Sequence, residues 1–291
     1  MIPQITIISG PTCCGKTRRA IEEALSENAE IISCDSVQVY RGMDIGSDKA
    51  PAEDRAKIPH HLIDVADVSD GFDIARYVEL AKEALVDICS RGKNIIVAGG
   101  SGFYLKSWFA AVADSIQIPA EIKKICADTE KFGGVRALAE ALLKLDSNAA
   151  ESIDMMNPRR VKNALERVMA SGKTVAKLRE EFESSPCPYG ELSRKIIMLD
   201  MPDSDLNSKI AARSAGMIER GIIEETRALI SAGILKNPSA SKSIGYRETI
   251  DWISSGERDT AALRDSITAH TIALVKKQRK FLRTQIPFHN H

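Results

Sequence analysis

The sequence predicts an open α/β fold: a parallel sheet flanked by helices, P-loop NTPase-like, with an all-helical inserted domain. Three observations in the 291 residues predict it. The first is Gly10-Pro11-Thr12-Cys13-Cys14-Gly15-Lys16-Thr17, directly behind the apolar run Ile5-Thr6-Ile7-Ile8-Ser9 and ahead of a helical pattern. G-x-x-x-x-G-K-T between strand and helix is the order of a phosphate-cradling loop. The second is the alternation of strand and helix patterns through the first hundred residues, which implies parallel strands with helical crossovers. The third is a switch to purely helical periodicity from about Pro119 to Glu183.

Taken in order, Gln4–Ser9 reads as a buried strand, Gly15–Glu27 as a helix and Glu30–Cys34 as a second strand. The stretch Asp35–Asp70 carries Gly42, Gly46, Pro51 and Pro59 and reads as turns. Ile74–Arg91 has helical spacing, and Asn94–Ala98 is a short strand closed by Gly99-Gly100-Ser101-Gly102, with a helix expected over Gly102–Ala111. Val135–Leu145, Asn157–Ser171 and Thr174–Phe182 repeat apolar residues every three or four positions. Ser184–Gly190, with Pro186 and Pro188, reads as the exit from the insertion. Lys195–Asp200 returns to strand character, and helices run from Ser204 onward, including Leu206–Arg220. The expected division is a core of residues 1–116 and 195–291 with an insertion of 117–194.

The chain carries 40 basic and 40 acidic residues. A nucleic-acid binder usually shows a basic excess, so any such role rests on local patches, of which Arg159-Arg160-Val161-Lys162 and Lys276–Arg283 are examples. For each, an ordinary charged helix face is the plainer physical reading. No apolar stretch is long enough for a bilayer, and the N-terminus has no basic leader. A cytoplasmic, monomeric protein is expected. The six cysteines form no C-x-x-C pair, which points to free thiols rather than zinc. Cys13 and Cys14 read either as small loop fillers or as a reactive thiol.

In the loop, Gly10, Thr12, Cys13, Cys14 and Gly15 supply backbone N–H groups to an anion at a helix N-terminus. Lys16 adds a positive charge, and the Thr17 hydroxyl is placed to hold Mg²⁺. P-loop hydrolases place an Asp at the end of a second apolar strand, whereas Ile95-Ile96-Val97-Ala98 ends in glycines. The apolar run that ends in a carboxylate is Ile31-Ile32-Ser33-Cys34-Asp35. Strand C-termini line the ligand crevice of such sheets, so Asp35, the loop and Gly99–Gly102 are expected to converge. Asp35 reads as a general base or as a metal-ordering or capping Asp. Ser101 reads as a donor to a leaving-group oxygen or as a helix N-cap. Arg213 suits bidentate phosphate contact, or is a solvated helix residue.

With these residues in view, the sequence resembles the bacterial tRNA dimethylallyltransferases over nearly its whole length. The loop GPTCCGKT is similar to that family's GPTxxGKT. Asp35-Ser36-Val37-Gln38-Val39-Tyr40-Arg41-Gly42-Met43-Asp44-Ile45-Gly46 is the most specific match. Pro59-His60-His61-Leu62-Ile63-Asp64, Gly99-Gly100-Ser101-Gly102-Phe103-Tyr104, Asn157-Pro158-Arg159-Arg160, Gly245-Tyr246-Arg247 and Lys277-Gln278 follow in order. The resemblance implies transfer of a dimethylallyl group from dimethylallyl diphosphate to N6 of the adenine 3′ of a tRNA anticodon. It further implies that the loop, with Arg213 and Mg²⁺ on Thr17, holds diphosphate, that Ser101 bonds the bridging oxygen, and that Asp35 takes the N6 proton. It places Asp35, Ser36, Val37, Gln38, Ser101, Lys124, Arg159, Arg160, Val161, Lys162, Asn163, Lys242, Ser243, Ile244, Gly245, Tyr246 and Arg247 along the tRNA path, with the insertion gripping the anticodon stem-loop. Ser101 stands where Thr is usual, Lys209 where Arg is usual, Lys280-Phe281 where Thr-Trp is common, and Asp48 interrupts the family's GTAK. A nucleotide or small-molecule kinase with ATP in the same loop is the alternative enzyme. A non-catalytic RNA-binding module would be expected to have lost Lys16 or Asp35, and both are present.

Overall fold

Residues 4–286 are described by the computed structural model of the chain; the ends of the expected core, 1–3 and 287–291, lie outside them. Two units are distinguished, one of residues 1–112 with 187–291, the other Ala113–Pro186. In chain order the first unit contains β1 (Gln4–Ser9), α1 (Lys16–Glu27), β2 (Ala29–Ser33), α2 (Ala52–Lys57), β3 (His60–His61), α3 (Ile74–Ser90), β4 (Asn94–Gly99) and α4 (Gly102–Ser107). The second contains α5 (Ala120–Leu145), α6 (Ala149–Ser152), α7 (Pro158–Ser171) and α8 (Val175–Glu183). The first then resumes with β5 (Ser193–Met198), α9 (Asp203–Glu219), α10 (Ile222–Ser231), α11 (Pro238–Ser241), α12 (Tyr246–Ser255) and α13 (Thr260–Gln285). Among the described residues no helix is long and apolar enough to cross a membrane.

The five strands are all parallel, in the order β3-β2-β4-β1-β5. A parallel sheet is covered on both faces, so its strands need apolar residues at consecutive positions. Ile5, Ile7 and Ile8 of β1 are fully buried. Because side chains alternate between faces, Ile5 and Ile7 join Ile32, Ile95 and Val97 against Tyr77, Ala81 and Ile88 of α3. Ile8 joins Ile31 and Ile96 on the other face, against Ala20 and Ala24 of α1. This two-sided packing fixes the register and places the phosphate loop at the end of an inner strand.

Two local features depart from the periodicity. β3 has two residues, His60 and His61 paired with Ile31 and Ile32, too few for any period to show. The helix expected over Gly102–Ala111 stops at Ser107. There Trp108 turns fully inward, where its indole N–H donates to the Tyr77 hydroxyl at 3.1 Å and its ring stacks on Tyr189. Burial of so large a ring outweighs one more helical turn.

Within the second unit, α5 begins well before Val135 and breaks at Gly134, whose φ of 62° and ψ of −159° leave the helical region. α7 starts where its sequence signals, with the Asn157 side chain accepting from Arg160 N–H and Pro158 in the first turn. Its apolar stripe, Val161, Leu165 and Val168, packs on Cys126, Leu138 and Leu142 of α5.

Candidate active site

The chain ends of β1, β2 and β4 are tied to one another by hydrogen bonds that need no ligand. Ser9 Oγ donates to the Gly99 carbonyl at 2.9 Å, Cys34 N–H to the Ala98 carbonyl at 2.8 Å and Ser101 N–H to the Cys34 carbonyl at 3.2 Å. The loops that leave these strands therefore meet, as expected of a parallel sheet.

The loop from Gly10 to Gly15 turns sharply into α1. At Gly10 a Cβ would run into the Leu199 carbonyl and the Cys14 sulfur, so only glycine fits beside β5. Lys16 Nζ folds back to the Pro11 carbonyl at 2.7 Å. Burial pushes this ammonium down from its ordinary value, against the nearby Cys14 and Asp35. A desolvated cation of this kind gains most when an anion arrives. Cys14 is buried and its thiol is pushed up by that burial, so it is a loop filler, with no thiolate to act as nucleophile. Cys34, fully buried, is pushed up to about 12 by desolvation. All six cysteines are free.

Arg213 on α9 reaches the same loop. Its Nη1 donates to Thr12 Oγ1 at 2.7 Å and lies 3.8 Å from Cys13 Sγ, while its Nη2 donates to the Gly46 carbonyl at 3.1 Å. Its Nε has no hydrogen-bond partner among the described residues and sits 3.7 Å from Asp48. Isolated, an arginine on a polar helix reads as solvated; here three-dimensional packing brings it onto the phosphate loop.

Asp35 uses one carboxylate oxygen to cap the turn that follows it, accepting from Val37 N–H at 2.8 Å and Gln38 N–H at 3.3 Å. It makes no ion pair among the described residues, so the carboxylate is not spent on a neighbouring cation. Ser101 occupies the N-cap position of α4 but does not cap it. Its hydroxyl instead accepts from Ser36 N–H at 2.9 Å and lies 3.2 Å from Ser36 Oγ. Both residues line a cavity of about 500 Å³. Part of its lining is polar, including Thr12, Asp35, Ser36, Ser101 and Arg213. Another part is apolar: Val37, Phe103, Met217, Ile244, Leu274 and Phe281. Phe103 and Phe281 pack with ring centroids 5.6 Å apart.

Thr17 lies exposed in the first turn of α1, in a small recess shared with Lys16, Asp35, Gln38 and His60. Among the described residues no three His, Cys, Asp or Glu side chains form a metal cluster. Mg²⁺ normally takes one or two protein groups and completes its shell with substrate phosphate and water. The Thr17 hydroxyl in this recess is a protein group of that kind, so the residues present fit the ion.

Two contributors escaped the sequence reading. Gln278 on α13 accepts from Thr12 N–H at 2.9 Å and donates to the Gly100 carbonyl at 3.2 Å, joining the phosphate loop to the end of β4. Glu225 on α10 accepts from Asp44 N–H at 3.2 Å, from Ile45 N–H and from the Tyr246 hydroxyl at 2.6 Å. The only trace of Gln278 in the sequence is its place in Lys277-Gln278. Glu225 has none, because its partners are backbone groups about 180 residues away and a phenol on another helix.

The residues expected along a tRNA path divide. Ser36, Val37, Ser101 and Ile244 line the cavity, Gln38 lines the recess beside it, and Lys242 is exposed. Ser243 is half-buried and its hydroxyl donates to the Ala240 carbonyl at 2.6 Å. Gly245 is buried in the turn before α12 and accepts from Thr249 Oγ1 at 2.6 Å. Arg247 is drawn to the buried Glu248 carboxylate. In the second unit Lys124, Arg159, Arg160 and Asn163 are exposed, and Lys162 pairs with Glu130 at 2.7 Å. Two expectations are corrected. Val161 is fully buried in the core of the insertion, because the apolar stripe of α7 passes through it, and Tyr246 is fully buried beneath Gly46. Neither side chain faces a surface.

Comparison with known proteins places this geometry. A family model described as IPP transferase matches residues 38–285. The chain belongs to the IPP transferase family. A tRNA dimethylallyltransferase of Opitutus terrae is 44% identical over 287 residues, 99% of this chain and 92% of that protein. One from Protochlamydia amoebophila is 37% identical over 252 residues, 87% of this chain and 72% of its own. Among solved structures, the full-length tRNA isopentenylpyrophosphate transferase of Bacillus halodurans aligns with a TM-score of 0.69 at 31% identity, covering 97% of this chain and 87% of that one. A eukaryotic dimethylallyltransferase acting on tRNA aligns with a TM-score of 0.83 at 25% identity, covering 96% of this chain and 70% of that one.

Proposed function

We propose that this chain transfers the dimethylallyl group of dimethylallyl diphosphate to the exocyclic N6 of the adenine immediately 3′ of a tRNA anticodon, releasing diphosphate. The observation that carries the reading is the cavity of about 500 Å³ that joins the phosphate loop, Asp35 and Ser101 to an apolar lining. A kinase accepting a small polar substrate has no use for that lining. A five-carbon chain does, and its burial there keeps water from the reacting carbon.

Each residue then has a chemical task. The loop amides, Lys16 and Arg213 take up the negative charge that grows on the departing diphosphate. Ser101 turns its hydroxyl from Ser36 to the bridging oxygen, and Asp35 accepts a proton from N6. The new N6–C1 bond forms as the C1–O bond breaks, the bonding pair leaves with diphosphate, and the N6 proton passes to the carboxylate. An exocyclic amine is a weak nucleophile because its lone pair is delocalised into the ring, so both the base and the stabilised leaving group are required. Thr17 would hold Mg²⁺, which would supply further charge neutralisation at the diphosphate. The adenine must leave its stack, a cost of a few kcal/mol at most in a single-stranded loop. The exposed Arg159, Arg160 and Lys124 supply sequence-independent phosphate contacts.

The test is incubation of the purified protein with radiolabelled dimethylallyl diphosphate, Mg²⁺ and a tRNA carrying an unmodified A-A-A run beside the anticodon. Label in the tRNA is the expected result. ATP turnover with no label in the tRNA would overturn the reading in favour of a kinase.

A further inference from the structure

We propose that Tyr246 and Glu225 are positioning residues for Arg213, holding through the Gly46 turn the guanidinium that receives diphosphate. The proposal deepens the reading above and rests on it.

The argument follows one hydrogen-bonded chain. The Glu225 carboxylate accepts from Ile45 N–H at 3.1 and 3.0 Å, from Asp44 N–H at 3.2 Å and from the Tyr246 hydroxyl at 2.6 Å. The same hydroxyl accepts from Gly46 N–H at 3.1 Å. Three consecutive backbone amides, 44 to 46, are thus pinned by one carboxylate and one phenol. Gly46 then presents its carbonyl to Arg213 Nη2 at 3.1 Å, and Arg213 Nη1 reaches Thr12 in the phosphate loop at 2.7 Å. Gly46 lies against the hydroxyl end of the Tyr246 ring, so close that a Cβ there would overlap it. Gly46 and Arg213 line the cavity, whereas Glu225 and Tyr246 do not; the latter pair acts through the former.

The chemistry of the pair suits a fixed strut. Burial, together with the adjacent Glu225 carboxylate, pushes the Tyr246 phenol far above its ordinary range, so it stays protonated and its single O–H is committed to Glu225. A guanidinium loses less on making a bidentate contact when its plane is already held, and this chain holds it without touching the ligand.

The experiment measures inorganic pyrophosphate binding to the full chain by titration calorimetry, without tRNA, beside steady-state KM values for both substrates. Tyr246→Phe keeps the ring packed on Gly46 and removes only the hydroxyl; Glu225→Gln keeps the volume. Each is expected to weaken pyrophosphate about fivefold or more, the scale of a buried donor left unpaired. KM for dimethylallyl diphosphate should rise in parallel, with KM for tRNA unchanged. In an Arg213→Ala background, where pyrophosphate binding is already weak, Tyr246→Phe should add nothing further. Unchanged pyrophosphate affinity in a folded Tyr246→Phe protein, an equal loss in the Arg213→Ala background, or a rise confined to KM for tRNA would each overturn the proposal. If Tyr246→Phe does not fold, Glu225→Gln decides by the same criteria. A protein that binds pyrophosphate through Arg213 yet labels no tRNA would refute the assigned reaction and leave the positioning argument to the binding data.

Discussion

Asp35→Asn separates the two things that Asp35 does. One carboxylate oxygen holds the turn by accepting from Val37 N–H at 2.8 Å and Gln38 N–H at 3.3 Å. An asparagine keeps an oxygen in that place, so the turn survives. Its other atom becomes an NH₂ group that cannot take a proton. The loss should then be that of a general base alone, about 10²–10⁴ in rate, equivalent to about 3–5 kcal/mol on the barrier. Asp35→Ala removes base and turn together. Two hydrogen bonds at about 1 kcal/mol net each make it less stable by about 2 kcal/mol, whereas Asp35→Asn should melt with the parent. The assay is single-turnover transfer of labelled dimethylallyl group at saturating tRNA, with pyrophosphate affinity as the control. Transfer by Asp35→Asn within twofold of the parent rate would refute the assignment, and so would loss of pyrophosphate binding equal to the loss of rate.

Other substitutions test the surroundings. Lys16→Ala should weaken pyrophosphate at least about tenfold, the worth of roughly 1.5–3 kcal/mol for a hydrogen bond to a charged group, measured by calorimetry. Asp48→Asn removes the carboxylate 3.7 Å from Arg213 Nε and should tighten pyrophosphate by up to about fivefold, since a half-exposed pair is worth about 1 kcal/mol or less; the gain should shrink as salt rises. Glu30 is buried, which pushes its carboxyl up, but hydrogen bonds from His61 and Arg91, both at 2.7 Å, outweigh this and hold it below its ordinary value. A depressed carboxyl stabilises the fold above its unfolded value, about 4.3, and that contribution disappears as pH falls through the folded value. Glu30→Gln should therefore melt lower than the parent at pH 7, by about 1–2 kcal/mol, and the gap should close below about pH 4.

How much of this was legible in the sequence depends on the range of the interaction involved. Local chemistry could be read: the glycines and lysine of the phosphate loop, the Asn157-Pro158 start of α7 and the apolar strands all carry their signal within a few residues. The convergence of Asp35 with Gly99–Gly102 could also be anticipated, because a parallel sheet aligns strand ends. Contacts made across the chain could not. Gln278 reaches Thr12 from 266 residues away, and nothing in either neighbourhood announces it. Tyr246 illustrates a different failure. Its place in Gly245-Tyr246-Arg247 drew attention, but a motif says that a residue matters without saying which way it faces, and this one points inward to a carboxylate. Ser101 stands where a helix cap belongs, and only the fold turns its hydroxyl to Ser36.

The chain leaves the first unit after Val112 and rejoins it at Cys187, and the stumps on either side of that excursion are stitched to each other. Arg194 Nε donates to the Trp108 carbonyl at 2.8 Å, Cys187 Sγ lies 3.7 Å from the Ser107 carbonyl, and Tyr189 stacks on Trp108 with ring centroids 4.0 Å apart. The seam is closed without help from the excursion itself. Lengthening or shortening what is spliced in changes the closure entropy only logarithmically. A helical cassette of another size can thus be grafted at the same seam while β1, β5 and the loop between β1 and α1 keep their places, so the excursion and the chemistry at the sheet are free to evolve at different speeds.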